Sequence, residues 1–265
     1  MPEGHTVHRN ARDLLARFGG QQVIVSSPQG RFADGAALLD GRELTGTEAH
    51  GKHLLARFGE DRWLHVHLGL YGTWRAGDGF PDPPRGAVRV RLEAEGGWAD
   101  LRGPTACEVL DEGGVARVHA KLGPDPLRVK ADPEEAWARI SRSRVAIGAL
   151  LMQQDVVAGV GAIYRAETLF RTGVEPHRPG REVTREEWQA LWADLVVLLR
   201  AGLRAGRIVT TRPEHRERRS GTARREDAFY VYRRTGMPCR LCGTPVAYAQ
   251  MVARHLNWCP TCQPA

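Results

Sequence analysis

The sequence predicts an α+β chain: an N-terminal β-sandwich with a flanking helix, followed by a helical domain that ends in a metal-binding β-hairpin. Three observations predict it. Between Gln22 and Leu110 the apolar residues come in short alternating runs separated by glycines, the period of half-buried strands. Beyond Asp132 they recur at the three-to-four spacing of helices. Four of the five cysteines fall in the last 27 residues, as Cys239-x2-Cys242 and Cys259-x2-Cys262. With 265 residues and 42% hydrophobic content, the chain can build one large core or two ordinary ones.

Taken in order, residues 5–18 place Val7, Leu14, Leu15 and Phe18 among arginines at helical spacing, so an amphipathic helix follows the N-terminus directly. Strands are predicted at Val23-Ile24-Val25, at His53-Leu54-Leu55, from Trp63 to Leu68 and from Val88 to Leu92. Leu122-Gly123-Pro124-Asp125-Pro126-Leu127 is stiff and turn-rich, a hinge between domains. Asp132 and Pro133 then supply an N-cap and a first helical residue. A second helix is predicted over Val145 to Gln154, and a third over Arg165 to Arg171 after the glycine-broken stretch Ala158 to Tyr164. Thr184 with Glu187 forms a capping box ahead of a long helix reaching Leu203. Residues 204–234 are arginine-rich and poorly periodic, which reads as a mobile or nucleic-acid-facing loop. The predicted boundaries are 1–122, a hinge at 123–132, a helical domain at 133–234 and a terminal ribbon at 235–265.

The two cysteine pairs, sixteen residues apart, have the spacing of a four-thiolate zinc ribbon. Sulfur at all four positions leaves no open coordination site, so one structural Zn²⁺ is expected, folding a short hairpin, and no organic cofactor. Cys107 is left over and reads as a small buried hydrophobe. Cysteine usage of this kind is not a secreted disulfide framework. With no apolar run of about 18 residues and no basic-then-apolar leader, membrane insertion and secretion are not expected, and an intracellular setting is. Lys+Arg 38 against Asp+Glu 31 gives +7 and a pI near 9.5, which favours a polyanionic partner, nucleic acid first. Only Lys52, Lys121 and Lys130 are lysines.

Three further patterns carry chemistry. The chain opens Met1-Pro2-Glu3-Gly4. Removal of Met1 would leave Pro2 with a free secondary amine, whose pKa of roughly 7.7–8.0 leaves it partly unprotonated near neutrality. Such an amine can attack an electrophilic carbon and form an iminium, with the Glu3 carboxylate beside it to move protons. Gly159-Val160-Gly161 sits between two predicted helices, where glycines let backbone amides approach an anion and the next helix aims its positive end the same way. Gly69-Leu70-Tyr71-Gly72 puts an aliphatic and an aromatic residue on a turn after a strand, as an apolar wedge for a base stack requires; Leu-Tyr at a strand end is more often core.

Together these motifs resemble the formamidopyrimidine-DNA glycosylase and endonuclease VIII family, on the actinobacterial endonuclease VIII-like side. The resemblance runs nearly end to end. It covers MPEGHTVHR at the start, GKHLL around Lys52, HVHLGLYGTW, LGPDPL, LLMQQDVVAGVGAIYRAE as a helix-two-turn-helix element, and the ribbon with Arg254 five residues before Cys259.

The resemblance implies a bifunctional DNA glycosylase and abasic-site lyase. It would excise oxidised bases, pyrimidines by preference, from duplex DNA held between the two domains. Pro2 would attack the anomeric carbon and Glu3 would be the acid/base; Lys52 would complete the catalytic set on a flanking phosphate. Gly159, Gly161, Ala162, Tyr164 and Arg254 would also face phosphates, and Leu70 and Tyr71 would fill the void left by the flipped base. A cytoplasmic, nucleoid-associated monomer is implied as well. The chain departs from the family pattern at Ala162, where an asparagine is usual, and at Gln153, Thr6 and Gly69. Loss of the asparagine removes a hydrogen bond to a charged group worth roughly 1.5–3 kcal/mol. Rival readings are the same chemistry on oxidised purines, a damaged-DNA-binding protein with weakened catalysis, and an RNA-binding ribbon protein.

Overall fold

The computed structural model describes residues 2–265, and the chain divides into two compact units, one running through Lys121 and the other from Leu122 to Ala265. The first opens with helix α1 (Gly4–Phe18). Strands β1 (Gln22–Ser26), β2 (Arg42–His50), β3 (His53–Phe58), β4 (Arg62–His67), β5 (Thr73–Gly77), β6 (Val88–Ala94), β7 (Gly97–Arg102) and β8 (Ala106–Leu110) follow, with α2 (Ala33–Leu39) after β1 and α3 (Glu112–His119) after β8.

Among the described residues the eight strands join in the order β5-β7-β6-β1-β2-β3-β4-β8, each neighbour antiparallel. β1 is the corner. Gln22 and Val23 pair with β2, whereas Ile24, Val25 and Ser26 pair with β6, so one strand is shared between two half-sheets. Their inner faces meet in a single core: Leu54, Phe58 and Val66 from one half, Val90, Leu92 and Leu101 from the other. α1 lays Val7, Ala11, Leu14 and Phe18 on the same core, a 4-3-4 spacing that puts them on one helical stripe. Each fully buried leucine or phenylalanine contributes about 1.5–3 kcal/mol relative to exposure. Arg91 and Asp100 are buried opposite one another on β6 and β7 and pair through two hydrogen bonds of 2.7 and 3.0 Å. Cys107 packs against this core, and burial pushes its thiol up to about 12, which leaves it unreactive.

The second unit contains α4 (Pro133–Ile140), α5 (Ile147–Leu150), α6 (Ala162–Arg171), α7 (Arg185–Ala205) and a hairpin of β9 (Ala247–Met251) and β10 (Arg254–Trp258). The sequence signals for α4 and α7 are realised atom by atom: Asp132 Oδ1 accepts from Glu134 N, and Thr184 and Glu187 close a reciprocal capping box. α7 buries Trp188, Leu191, Leu195, Leu198 and Leu199 along one stripe against Ile140, Leu150 and Leu169.

The helix predicted over Val145 to Gln154 is a correction: only Ile147–Leu150 is α-helical. Upstream, the Ile147 and Gly148 amides are taken by the carbonyls of Arg178 and Pro176. Downstream, Met152 and Gln153 bond three residues back, to Ala149 and Leu150, and the chain tightens into turns. No helix among the described residues is long and apolar enough to cross a membrane.

In the predicted loop 204–234, α7 takes the first two residues, and the rest carries no strand and only one short 3₁₀ turn, Pro213–His215. Both ends are nevertheless tied to one carboxylate. Glu167 of α6, fully buried, accepts from Thr210 Oγ1 and from the amides of Tyr230, Val231 and Tyr232 at 2.8–2.9 Å.

Candidate functional site

In the first unit the N-terminal residues start α1. Glu3 takes an extended conformation and its carbonyl accepts from the Thr6 amide at 2.9 Å, which fixes the helix entry. Its side chain is fully buried, while Pro2 is half-buried. Pro2 lines a cavity of about 350 Å³ together with Thr6, Asn10, Leu68, Leu70 and Trp74. The structure thus brings the N-terminal proline and one of the two predicted wedge residues to one space. Met1 lies outside the described residues.

The wedge turn joins β4 to β5. The Gly72 amide donates to the Leu68 carbonyl at 2.9 Å, and a Cβ on Gly72 would stand 2.2 Å from that same oxygen, so only glycine fits. Gly69 has φ +67°, a conformation that favours glycine. The turn leaves Leu70 43% and Tyr71 85% exposed. A tyrosine so exposed beside an apolar leucine is the reverse of the core reading.

Lys52 occupies the tip of the β2–β3 hairpin, after Gly51 at φ +58°. The charge of Lys52 is felt at His67 on β4, whose pKa is lowered first by burial and then by that ammonium. Around the hairpin gathers a set of histidines to which the sequence reading gave no role: His50, His53, His65, His67 and His119. The overlooked signal is His50 and His53 on either side of the Gly51-Lys52 turn, with His65 and His67 at alternate positions on the next strand.

Burial pushes His5 down to about 4 and, with the neighbouring rings, His53 to about 3. A base whose folded-state pKa is depressed binds fewer protons than the unfolded chain, so its contribution is full above about pH 6.5 and is lost as pH falls toward the folded values. The first unit is therefore expected to lose stability between pH 6.5 and 4. Thermal melts at pH 7.5 and 5 check this; an unchanged midpoint for that unit would contradict the neutral burial of these rings.

In the second unit the glycine turn is organised by Gln154, which the sequence reading did not single out. Its side-chain oxygen accepts from the Gly159 amide at 3.0 Å and its nitrogen donates to the carbonyls of Met152 and Val160 at 3.1 and 3.0 Å. Gly159 has φ +89° and Gly161 is the N-cap of α6. Gly159, Gly161 and Ala162 are buried in this structure. Tyr164 stands at the third position of α6. It is fully buried and belongs to the apolar cluster of Ile147, Leu169 and Leu195, because one turn into α6 its position faces the core.

Arg254 begins β10 at the tip of the ribbon hairpin, directly after Val252 and Ala253, both at positive φ (+54° and +50°), the geometry of a type I′ turn. Buried Arg165 of α6 donates to the carbonyls of Met251 and His255 on either side of that tip, at 3.3 and 2.9 Å. The hairpin end carrying Arg254 is thereby fastened to the helix that starts at the glycine turn. At the other end the Sγ atoms of Cys239, Cys242, Cys259 and Cys262 lie within 4.8 Å of one another, with two pairs at 3.4 and 3.8 Å. Four sulfurs about 2.3 Å from a tetrahedral zinc sit about 3.8 Å apart, so the cluster fits one structural zinc with no open position.

The comparisons agree with this geometry along the whole chain. The formamidopyrimidine-DNA glycosylase N-terminal domain matches residues 1–106, the formamidopyrimidine-DNA glycosylase H2TH domain residues 122–213, and the zinc finger found in FPG and IleRS residues 236–265. The chain is 51% identical to Endonuclease 8 1 of Mycobacterium tuberculosis, over 99% of its own length and 100% of the relative's. It is 31% identical to the formamidopyrimidine-DNA glycosylase of Thermus thermophilus, over 99% and 97%. In fold it matches Lactococcus lactis Fpg bound to DNA containing N7-benzyl-Fapy-dG, with a TM-score of 0.84 and 23% identity over 100% of both chains. The chain belongs to the formamidopyrimidine-DNA glycosylase and endonuclease VIII family.

Proposed function

We propose that this chain is a bifunctional DNA glycosylase and abasic-site lyase that removes oxidised pyrimidines from duplex DNA with Pro2 as nucleophile. The observation that carries the reading is the cavity in which Pro2 meets Leu70 at the start of α1. With Met1 removed, the Pro2 lone pair attacks C1′ of the damaged nucleotide and the base departs with its bonding electrons, taking up a proton. Ring opening then leaves a cationic iminium between Pro2 and C1′. The iminium acidifies C2′, a base removes that proton, and the 3′ phosphate leaves by elimination. Glu3, buried and adjacent in sequence to the amine, is the group assigned to proton transfer at the sugar. General acid–base help of this kind is worth about 10²–10⁴-fold.

Leu70 and Tyr71 occupy the gap left by the flipped nucleotide, and their exposure supports that role. Lys52 at its hairpin tip and Arg254 at the ribbon tip take flanking phosphates. The same assignment for Gly159, Gly161, Ala162 and Tyr164, as members of one turn, rests on the family resemblance. The zinc holds the ribbon that carries Arg254 and takes no part in the chemistry.

Pyrimidine preference is supported by the 51% identity to an endonuclease VIII-type relative. Single-turnover cleavage of duplexes carrying thymine glycol or 8-oxoguanine tests it. Faster cleavage at thymine glycol is expected; the opposite order selects the oxidised-purine reading, and salt-sensitive binding without cleavage of either selects a binding protein.

A further inference from the structure

The hairpin that carries Lys52 is held by two hydrogen-bonded chains, one on each leg. Strand register creates them. His50 stands opposite His53 across the tip, His53 opposite His67, and His65 opposite Glu108; with two-residue alternation Glu48 joins the same face. α3 adds His119. On the β2 leg Glu48 Oε1 meets His119 Nε2 at 2.8 Å, and His119 Nδ1 meets His50 Nδ1 at 2.8 Å. On the β3 leg Glu108 Oε1 meets His65 Nδ1 at 2.8 Å, and His65 Nε2 meets His53 Nδ1 at 2.8 Å.

A carboxylate only accepts, so each one fixes the tautomers behind it. His65 carries its proton on Nδ1 and must accept at Nε2, so His53 Nδ1 donates. His119 carries its proton on Nε2 and accepts at Nδ1, so His50 Nδ1 donates. An N–H···N bond needs a neutral acceptor ring, and on the β3 leg burial first, then the charges of the neighbouring rings, hold the donor His53 near 3. His67, its ring tilted against that of His53 with centroids 4.8 Å apart, is held down by burial and by Lys52 itself.

We infer that the two carboxylate–histidine–histidine chains position Lys52, fixing both legs of its hairpin so that the ammonium is delivered to one DNA phosphate. His65 and His119 are then positioning residues that touch no DNA. This inference rests on the reading of Lys52 as a phosphate contact.

The test is the salt dependence of binding to a duplex bearing an uncleavable tetrahydrofuran abasic analogue. Each phosphate contact contributes about 0.9 to the slope of log K against log salt. Lys52→Ala is expected to reduce the slope by about that amount. His119→Phe on the partly exposed α3 site, and His65→Phe if it folds, are expected to reduce it by at least half as much and to weaken binding several-fold at low salt. His119→Asn and His65→Gln, which return an acceptor to His50 and His53, are expected to restore most of it. In a Lys52→Ala background the histidine changes should alter nothing further. A folded His119→Phe protein with the wild-type slope, beside a reduced slope for Lys52→Ala, overturns the positioning inference and leaves the Lys52 assignment standing. A wild-type slope for Lys52→Ala overturns both.

Discussion

Replacing Glu167 by alanine is expected to destabilise the second unit by about 4 kcal/mol, a large part of the roughly 5–15 kcal/mol available to a domain. The reason is the number of donors that depend on one carboxylate. Thr210 Oγ1 and three consecutive amides, those of Tyr230, Val231 and Tyr232, converge on its two oxygens. Hydrogen bonds to charged groups contribute about 1.5–3 kcal/mol each, and a buried donor left without an acceptor costs about 1–3. Truncation also opens a void beside Phe170 and Tyr230, which stack at 4.9 Å in the small core next to the cysteines. Glu167→Gln should cost less than alanine but still more than about 1 kcal/mol, since its amide nitrogen faces donors. Denaturant melts of zinc-loaded protein measure both. A loss under about 1 kcal/mol for alanine would show that the 210–232 segment is held by something else. Function should fall with stability, because residues 230–232 lead directly into the ribbon that carries Arg254.

Glu3→Gln is expected to lower single-turnover base excision by about 10²–10⁴-fold, the range for loss of a positioned acid/base group, with little effect on the fold. Glutamine has the same shape, and the helix entry depends on the Glu3 carbonyl, which is unchanged. Binding to the tetrahydrofuran duplex should therefore stay within a few-fold of wild type. Excision within tenfold of wild type would remove Glu3 from the mechanism.

How much of this was legible in the sequence depended on whether a signal was local. α4 and α7 announce themselves through Asp132-Pro133 and Thr184-x-x-Glu187, because caps are made within four residues. The strands with apolar runs, β1, β3, β4 and β6, are equally plain. β2 is not: Arg42 to His50 is mostly polar, buries only Leu44 and Ala49, and is a strand because β3 pairs along it. β5, β7 and β8 follow the same logic, taking their conformation from neighbours distant in sequence. The Val145–Gln154 stretch has helical periodicity, yet its first amides bond to residues 176 and 178, which no local pattern encodes.

The site divides the same way. The cysteine spacing and the Gly69–Gly72 turn are local and readable, as is the chemistry of Pro2. The clustering of five histidines depends on register across β2, β3 and β4 and on the placement of α3. Glu167 acts through partners 43 to 65 residues away, which no local pattern brings beside it, whereas Gln154 acts within its own irregular turn, which no helix or strand period signals. The burial of the Tyr164 side chain follows from its place on the inner face of α6, which the glycine turn before it does not reveal.

The most direct test of Pro2 as nucleophile is borohydride reduction of the protein mixed with a duplex carrying an oxidised pyrimidine, followed by intact mass measurement. The account predicts a chain lacking Met1, cross-linked to DNA through its N-terminal residue, with the adduct lost in Pro2→Gly protein that still binds the tetrahydrofuran duplex. Excision by the trimmed protein without any trapped adduct, or an adduct formed equally by Pro2→Gly and mapped to a lysine, would contradict it.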